Sequence, residues 1–105
     1  MTDFRVDLAW AQSARKEDLV VEIAHELGVP APPMSTGSTE PRAIFVLVND
    51  RLGLGLADGL TKPGLARGIV ESAGFRWHPD YESRGATVTK DGLLAVLNTV
   101  RFFLR

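Results

Sequence analysis

Apolar residues recur along this chain at the three- and four-residue spacing of a helix with one buried face, and glycines and prolines break the pattern into segments. Leu19, Val20, Ile23 and Leu27 form the first stripe. It predicts a helix from about Ala14 to Leu27, with Ser13 as cap and Glu17 and Asp18 near the positive N-terminal end. Gly28 supplies the left-handed residue that ends a helix, and Pro30 follows. A second helix is predicted from about Glu40 to Leu52, capped by Ser38 or Thr39, with Pro41 in its first turn. Its core, AIFVLV at 43–48, is β-branched enough to suit a buried strand, so both readings stand, with caps and length favouring helix. A third stripe, Leu65, Ala66, Ile69, Val70 and Ala73, predicts a helix from Lys62 to Ala73 that is capped by Thr61 and stopped by Gly74. The last helix is expected from Lys90 to Leu104, with Thr89 as cap and Asp91 in the first turn. Leu93, Val96, Leu97, Val100 and Leu104 should face inward, and Phe102 falls off that stripe.

The segments between these stripes differ in kind. Residues 1–12 fit a strand or a helix equally, and 29–39 (VPAPPMSTGST) carry three prolines, so these two stretches are expected to be the least ordered. The glycine-rich run RLGLGLADGL at 51–60 lacks both the G-x-G-x-x-G spacing and the lysine of a phosphate loop, and reads as a helix stop and turn. A polar loop is expected from Phe75 to Gly85, followed by the β-prone ATVT at 86–89. The first and third stripes share one pattern: Lys16, Leu19, Ile23 and Gly28 align with Lys62, Leu65, Ile69 and Gly74 at identical spacing. Shared helix grammar explains so short a match better than duplication does, and no repeat architecture follows from it. The expected fold is all-α or α-dominant, a single domain over 1–105 of four main helices, with room for a short β wing near 86–89.

Length and composition limit the functions open to such a fold. A chain of 105 residues with no cysteine builds its core without a disulfide or a thiolate metal site, which suits a reducing, cytoplasmic setting. The charged N-terminus is unlike a signal peptide, and the longest apolar run is far too short to span a bilayer, so no membrane partner is expected. The formal net charge of −1 argues mildly against a nucleic-acid partner. The charges are unevenly placed, however. Between Thr61 and Lys90 five bases (Lys62, Arg67, Arg76, Arg84, Lys90) face three acids, whereas between Ser13 and Glu26 two bases face four acids.

Candidate chemistry is sparse. No nucleophile, acid–base pair or cofactor cradle stands in a defensible arrangement, so the chain is expected not to be an enzyme and to need no cofactor. Glu22, His25 and Glu26 share one helical face, but one exposed helix makes a poor metal cage, and a solvated face is the expectation. His78-Pro79-Asp80 spells the loop tripeptide of J-domain cochaperones, but the helix before it holds only Lys62 and Arg67 as bases and contains Gly64 and Gly68, which argues against that family. The loop is richer in binding chemistry: Arg76, Trp77, His78, Tyr81 and Arg84 place aromatic planes suited to stacking on bases beside arginines suited to phosphates or guanine edges. Trp77 equally suits a plug in the core.

LTKPGLARGIV at 60–70 resembles the positioning helix of helix-turn-helix DNA-binding domains, which often read L-T-x-x-x-L-A. ATVTKDGLLAVL at 86–97 resembles either a recognition helix opening at a Thr-Val pair or a wing strand running into a following helix. The intervening loop is longer than the usual three- or four-residue turn, so the winged version is the one carried over. In this the chain resembles the accessory domains that accompany restriction-type nucleases. The resemblance implies a DNA-binding module, part of a larger restriction, defence or regulatory protein, reading a sequence or a modified base. Lys62, Arg67, Arg84 and Lys90 would contact phosphates, Arg76, Trp77 or Tyr81 would approach a base, and His78 and Thr87 would lie within the same surface. The rival expectation is a protein–protein or homodimer interface made by Phe102, Phe103 and the apolar residues of the 52–60 loop.

Overall fold

The computed structural model describes residues 13–30, 42–57, 59–83 and 87–104. Among the described residues four helices carry the fold: α1 (Lys16–Leu27), α2 (Arg42–Leu52), α3 (Lys62–Ser72) and α4 (Lys90–Phe103). Between α3 and α4 lie a 3-10 turn at Pro79–Tyr81 and two short strands, β1 (Glu82–Ser83) and β2 (Thr87–Val88). The strands pair antiparallel, with Glu82 opposite Val88 and Ser83 opposite Thr87. The α-dominant fold with a small β element near 86–89 is therefore present. Residues 1–12 and most of 29–39, expected to be the least ordered, lie outside the described residues.

The buried stripes are those the apolar spacing predicts, except at two helix ends: Ala73 is half-buried just past α3, which stops at Ser72, and Leu104 lies beyond α4. Leu19, Val20, Ile23 and Leu27 of α1 meet Ile44, Phe45 and Val48 of α2, Leu65, Ala66, Ile69 and Val70 of α3, and Leu93, Val96, Leu97 and Val100 of α4 in one core. The run at 43–48 is helix, because the alternation of a strand would have buried Val46, which instead is 36% exposed while Ile44, Phe45 and Val48 are fully buried. Val88 of β2 is also buried and ties the hairpin to this core.

The paired Lys-Leu-Ile-Gly pattern acquires a geometric meaning. Lys16 and Lys62 each open a helix, and Gly28 and Gly74 each take a left-handed conformation, at φ 71° and 83°. The Val29 amide donates to the Ala24 carbonyl at 3.1 Å, and the Phe75 amide to the Val70 carbonyl at 3.3 Å, the same six-residue closure of a helix end. Val29 and Phe75, the residues just past each glycine, both pack on the core. The Leu54 amide closes α2 onto Asn49 in the same way.

Three sequence expectations need correction. Helix α1 starts at Lys16 with Arg15 as its cap, and Asp18 accepts the Arg15 amide at 2.9 Å; Ser13 lies too far upstream to cap it. Leu104 falls one residue beyond α4, leaves the helical stripe and is 50% exposed. Thr99 is buried in the helix instead, its hydroxyl donating to the Ala95 carbonyl at 2.7 Å. The stretch 75–85 is not all loop, since Pro79–Ser83 is built into the 3-10 turn and β1.

The α2–α3 connection is held from α2. The Asn49 side chain receives the Leu56 amide at 2.9 Å and donates back to the Leu56 carbonyl at 3.3 Å, and Arg42 donates to the Leu60 carbonyl. Leu56 then covers Gly68, where a Cβ would stand 2.8 Å from its Cδ2. The helix–hairpin junction is tighter still. A Cβ at Gly92 would lie 2.3 Å from the Tyr81 carbonyl oxygen and 2.5 Å from Val88 Cγ1. In an open helix a glycine-to-alanine change gains about 1 kcal/mol. Here overpacking should outweigh that gain, and Gly92→Ala should lose about 1–3 kcal/mol in urea unfolding. An unfolding midpoint at or above that of the parent chain contradicts this packing.

Candidate nucleic-acid interface

Helix α4 begins at Thr89, whose hydroxyl accepts the Gly92 amide at 3.3 Å, an ordinary N-cap. The same hydroxyl donates to the Asp80 carbonyl at 2.7 Å, and the Thr89 amide donates to the Tyr81 carbonyl at 2.9 Å. The 3-10 turn at Pro79–Tyr81 is thereby fastened to the first turn of α4. Inside the turn, His78 Nδ1 accepts the Asp80 amide at 3.2 Å, and the Tyr81 amide donates to the His78 carbonyl at 2.9 Å. Nδ1 acts here as an acceptor, so the proton of the neutral ring sits on Nε2. The Asp80 carboxylate lies 3.4 Å from the same Nδ1.

Three of the candidate residues meet in this turn. The Trp77 and Tyr81 rings stand nearly perpendicular with centroids 5.1 Å apart, and the His78 and Tyr81 rings are tilted at 5.8 Å. Trp77 is half-buried against the core, and its indole N–H donates to Glu82 Oε2 at 2.7 Å. It is therefore both a core plug and an edge of the surface. Tyr81 is half-buried as well, whereas Arg76 and His78 are exposed.

The remaining candidates spread over neighbouring elements. Lys90 opens α4 directly after Thr89, and Thr87 on β2 is exposed, its hydroxyl 3.4 Å from the Ser83 carbonyl. Lys62 opens α3 and is partly exposed. Arg67 stands on the exposed face of α3 but pairs with Glu71 at 3.2 Å, an exposed contact worth a fraction of a kcal/mol. Arg84 lies outside the described residues.

Two polar arrangements escaped the sequence reading. Glu82 as partner of Trp77 has no local signal, because the bond needs the 3-10 turn to bring the two side chains together. The acidic face of α1 is not simply solvated. Arg101 of α4 reaches Glu22 Oε1 at 3.2 Å, and its Nε lies 3.2 Å from Glu26 Oε2. The second approach is off the N–H direction, so that Nε has charge pairing without a hydrogen bond. A salt bridge between two helices distant in sequence occupies the two carboxylates weighed as metal ligands, and no group of three His, Cys, Asp or Glu suited to a metal occurs among the described residues.

No family model, curated protein or solved structure matches the chain. No helix among the described residues is long and apolar enough to cross a membrane.

The Trp77–Glu82 bond yields a direct expectation. Glu82→Ala should speed solvent exchange of the Trp77 indole proton in NMR spectra and cost about 1 kcal/mol of stability. An indole proton equally protected in the variant rules this bond out as the anchor of the ring.

Proposed function

We propose that this domain is a non-catalytic DNA-binding module of winged-helix type, a cytoplasmic part of a larger restriction, defence or regulatory protein. One observation carries the reading: an antiparallel hairpin stands between α3 and α4, after the 3-10 turn, and is tied to the core and the start of α4 through Val88 and Thr89. Among the described residues the order of three helices, a 3-10 turn, a hairpin and a helix fits a wing beside a DNA-facing helix. Because β2 is a strand that runs into α4, the Thr-Val pair is read as wing and not as the start of a recognition helix. Lys62 and Arg67 on α3, Arg84 between the strands and Lys90 after them supply phosphate contacts, and Arg76 with the aromatic corner faces a base.

Binding of this kind weakens steeply with added salt, because each neutralised phosphate releases counterions. Polarisation titrations against a fluorescent duplex should give a log–log salt slope that shrinks by about 1 for each of Arg84→Ala and Lys90→Ala. Glu71→Gln should strengthen binding at low salt, because it releases Arg67 from its neighbour. No detectable binding at low salt, or affinity indifferent to the Arg84→Ala, Lys90→Ala double change, defeats the proposal.

A second reading has its own observation. Phe102 is 43% exposed, rests edge-on against Phe75 at 5.1 Å and neighbours Phe103, which suits a dimer or a partner protein. Leu52, Leu54, Leu56 and Leu60, the other half of that interface, are half-buried against the core and leave less to offer. A concentration-dependent dimer in sedimentation that Phe102→Asp abolishes would favour it over DNA.

A further inference from the structure

The aromatic corner differs from the rest of the proposed interface in being fastened at several points and in carrying carboxylates, Asp80 and Glu82, beside its rings. Its backbone is fastened at Asp80 and Tyr81 by Thr89, and Gly92 leaves no space for it to sink further. Its rings are fixed in turn: Glu82 holds the indole of Trp77, and Trp77 and His78 flank Tyr81 at 5.1 and 5.8 Å. The interplanar angles are 80° and 48°, so no two of these rings are stacked face to face. A stacking ligand would therefore not have to break an existing stack. Tyr81 is half-buried and so cannot project as a wedge between paired bases. A half-buried ring with a pinned backbone is a platform, and a platform needs a ligand that brings a free planar face to it.

Within a duplex both faces of a base are covered by its neighbours. An unpaired base offers its face at little cost and gains stacking on tyrosine or histidine whatever its identity. We infer that the Tyr81–His78 face binds one unpaired nucleobase, so that the domain prefers DNA containing a bulged or single-stranded base over continuous duplex. The inference rests on the DNA-binding reading. It adds that the aromatic corner selects an unstacked base, while the basic residues bind the backbone of any DNA. The side chain of Tyr81 acts through its face, not its hydroxyl, and its backbone carbonyl keeps its bond to Thr89 in any substitution.

The test compares two fluorescent hairpin DNAs of equal length and charge, one fully paired and one with a single bulged thymine, at fixed low salt. The parent chain should bind the bulged probe about 10-fold more tightly, within the range of one aromatic–base stack. Tyr81→Leu should remove that preference by weakening the bulged probe more than the paired one, and Tyr81→Phe should retain it. Thermal melts of both variants confirm that the fold is kept. Equal affinity for the two probes, or a preference that survives Tyr81→Leu, overturns the inference and leaves the DNA-binding reading standing. Absence of binding to either probe overturns both.

Discussion

The C-terminal half of this domain depends on one close approach, that of the Tyr81 carbonyl to the first turn of α4. Glycine at position 92 permits it, since any side chain there would collide with the carbonyl oxygen and with Val88. The same carbonyl receives the Thr89 amide, a group that a helix leaves without an internal partner. The Thr89 hydroxyl caps α4 on one side and holds Asp80 on the other. Through these few contacts a helix start becomes the anchor of a turn, the turn sets three aromatic rings, and β2 is held between core and surface. The hairpin alone has too few residues to be stable.

The other half depends on how helices end. The glycines after α1 and α3 reverse the chain in the same way, and each hands an apolar residue, Val29 or Phe75, back to the core. The shared Lys-Leu-Ile-Gly spacing is thus a description of one helix unit from opening lysine to closing glycine. The two copies then diverge in what they serve. The acids of α1, Glu22 and Glu26, are engaged by Arg101 of α4, which makes that face a seam between the first and last helices. The end of α3 leads into Phe75, Trp77 and the fastened turn.

Much of the scaffold was legible in the sequence because helix spacing, caps and stops are local. The four stripes, Thr61 and Thr89 as caps, and Gly28 and Gly74 as stops stand where periodicity and capping chemistry put them. What the sequence hid is what needs tertiary contact. Asn49 holding Leu56, Arg101 crossing to α1, and Glu82 meeting Trp77 join residues whose proximity no local rule foretells. Leu104 fits the stripe of α4 by number but lies past the helix end, where the stripe no longer applies. Of the candidate surface, the sequence pointed to the aromatic residues of 77–81, which do meet. It could not show that Trp77 is both plug and edge, or that Arg67 is paired with Glu71.

The fastening of the turn to α4 is read most directly by hydrogen exchange at a single amide. The Thr89 amide sits at an N-cap, where it should exchange about as fast as an open loop unless the Tyr81 carbonyl holds it. Native-state exchange followed by NMR should find it protected to the same degree as the buried middle of α4, with protection lost in Gly92→Ala. Exchange of the Thr89 amide at loop rates in the parent chain would contradict this fastening and leave the aromatic corner with no fixed base to stand on.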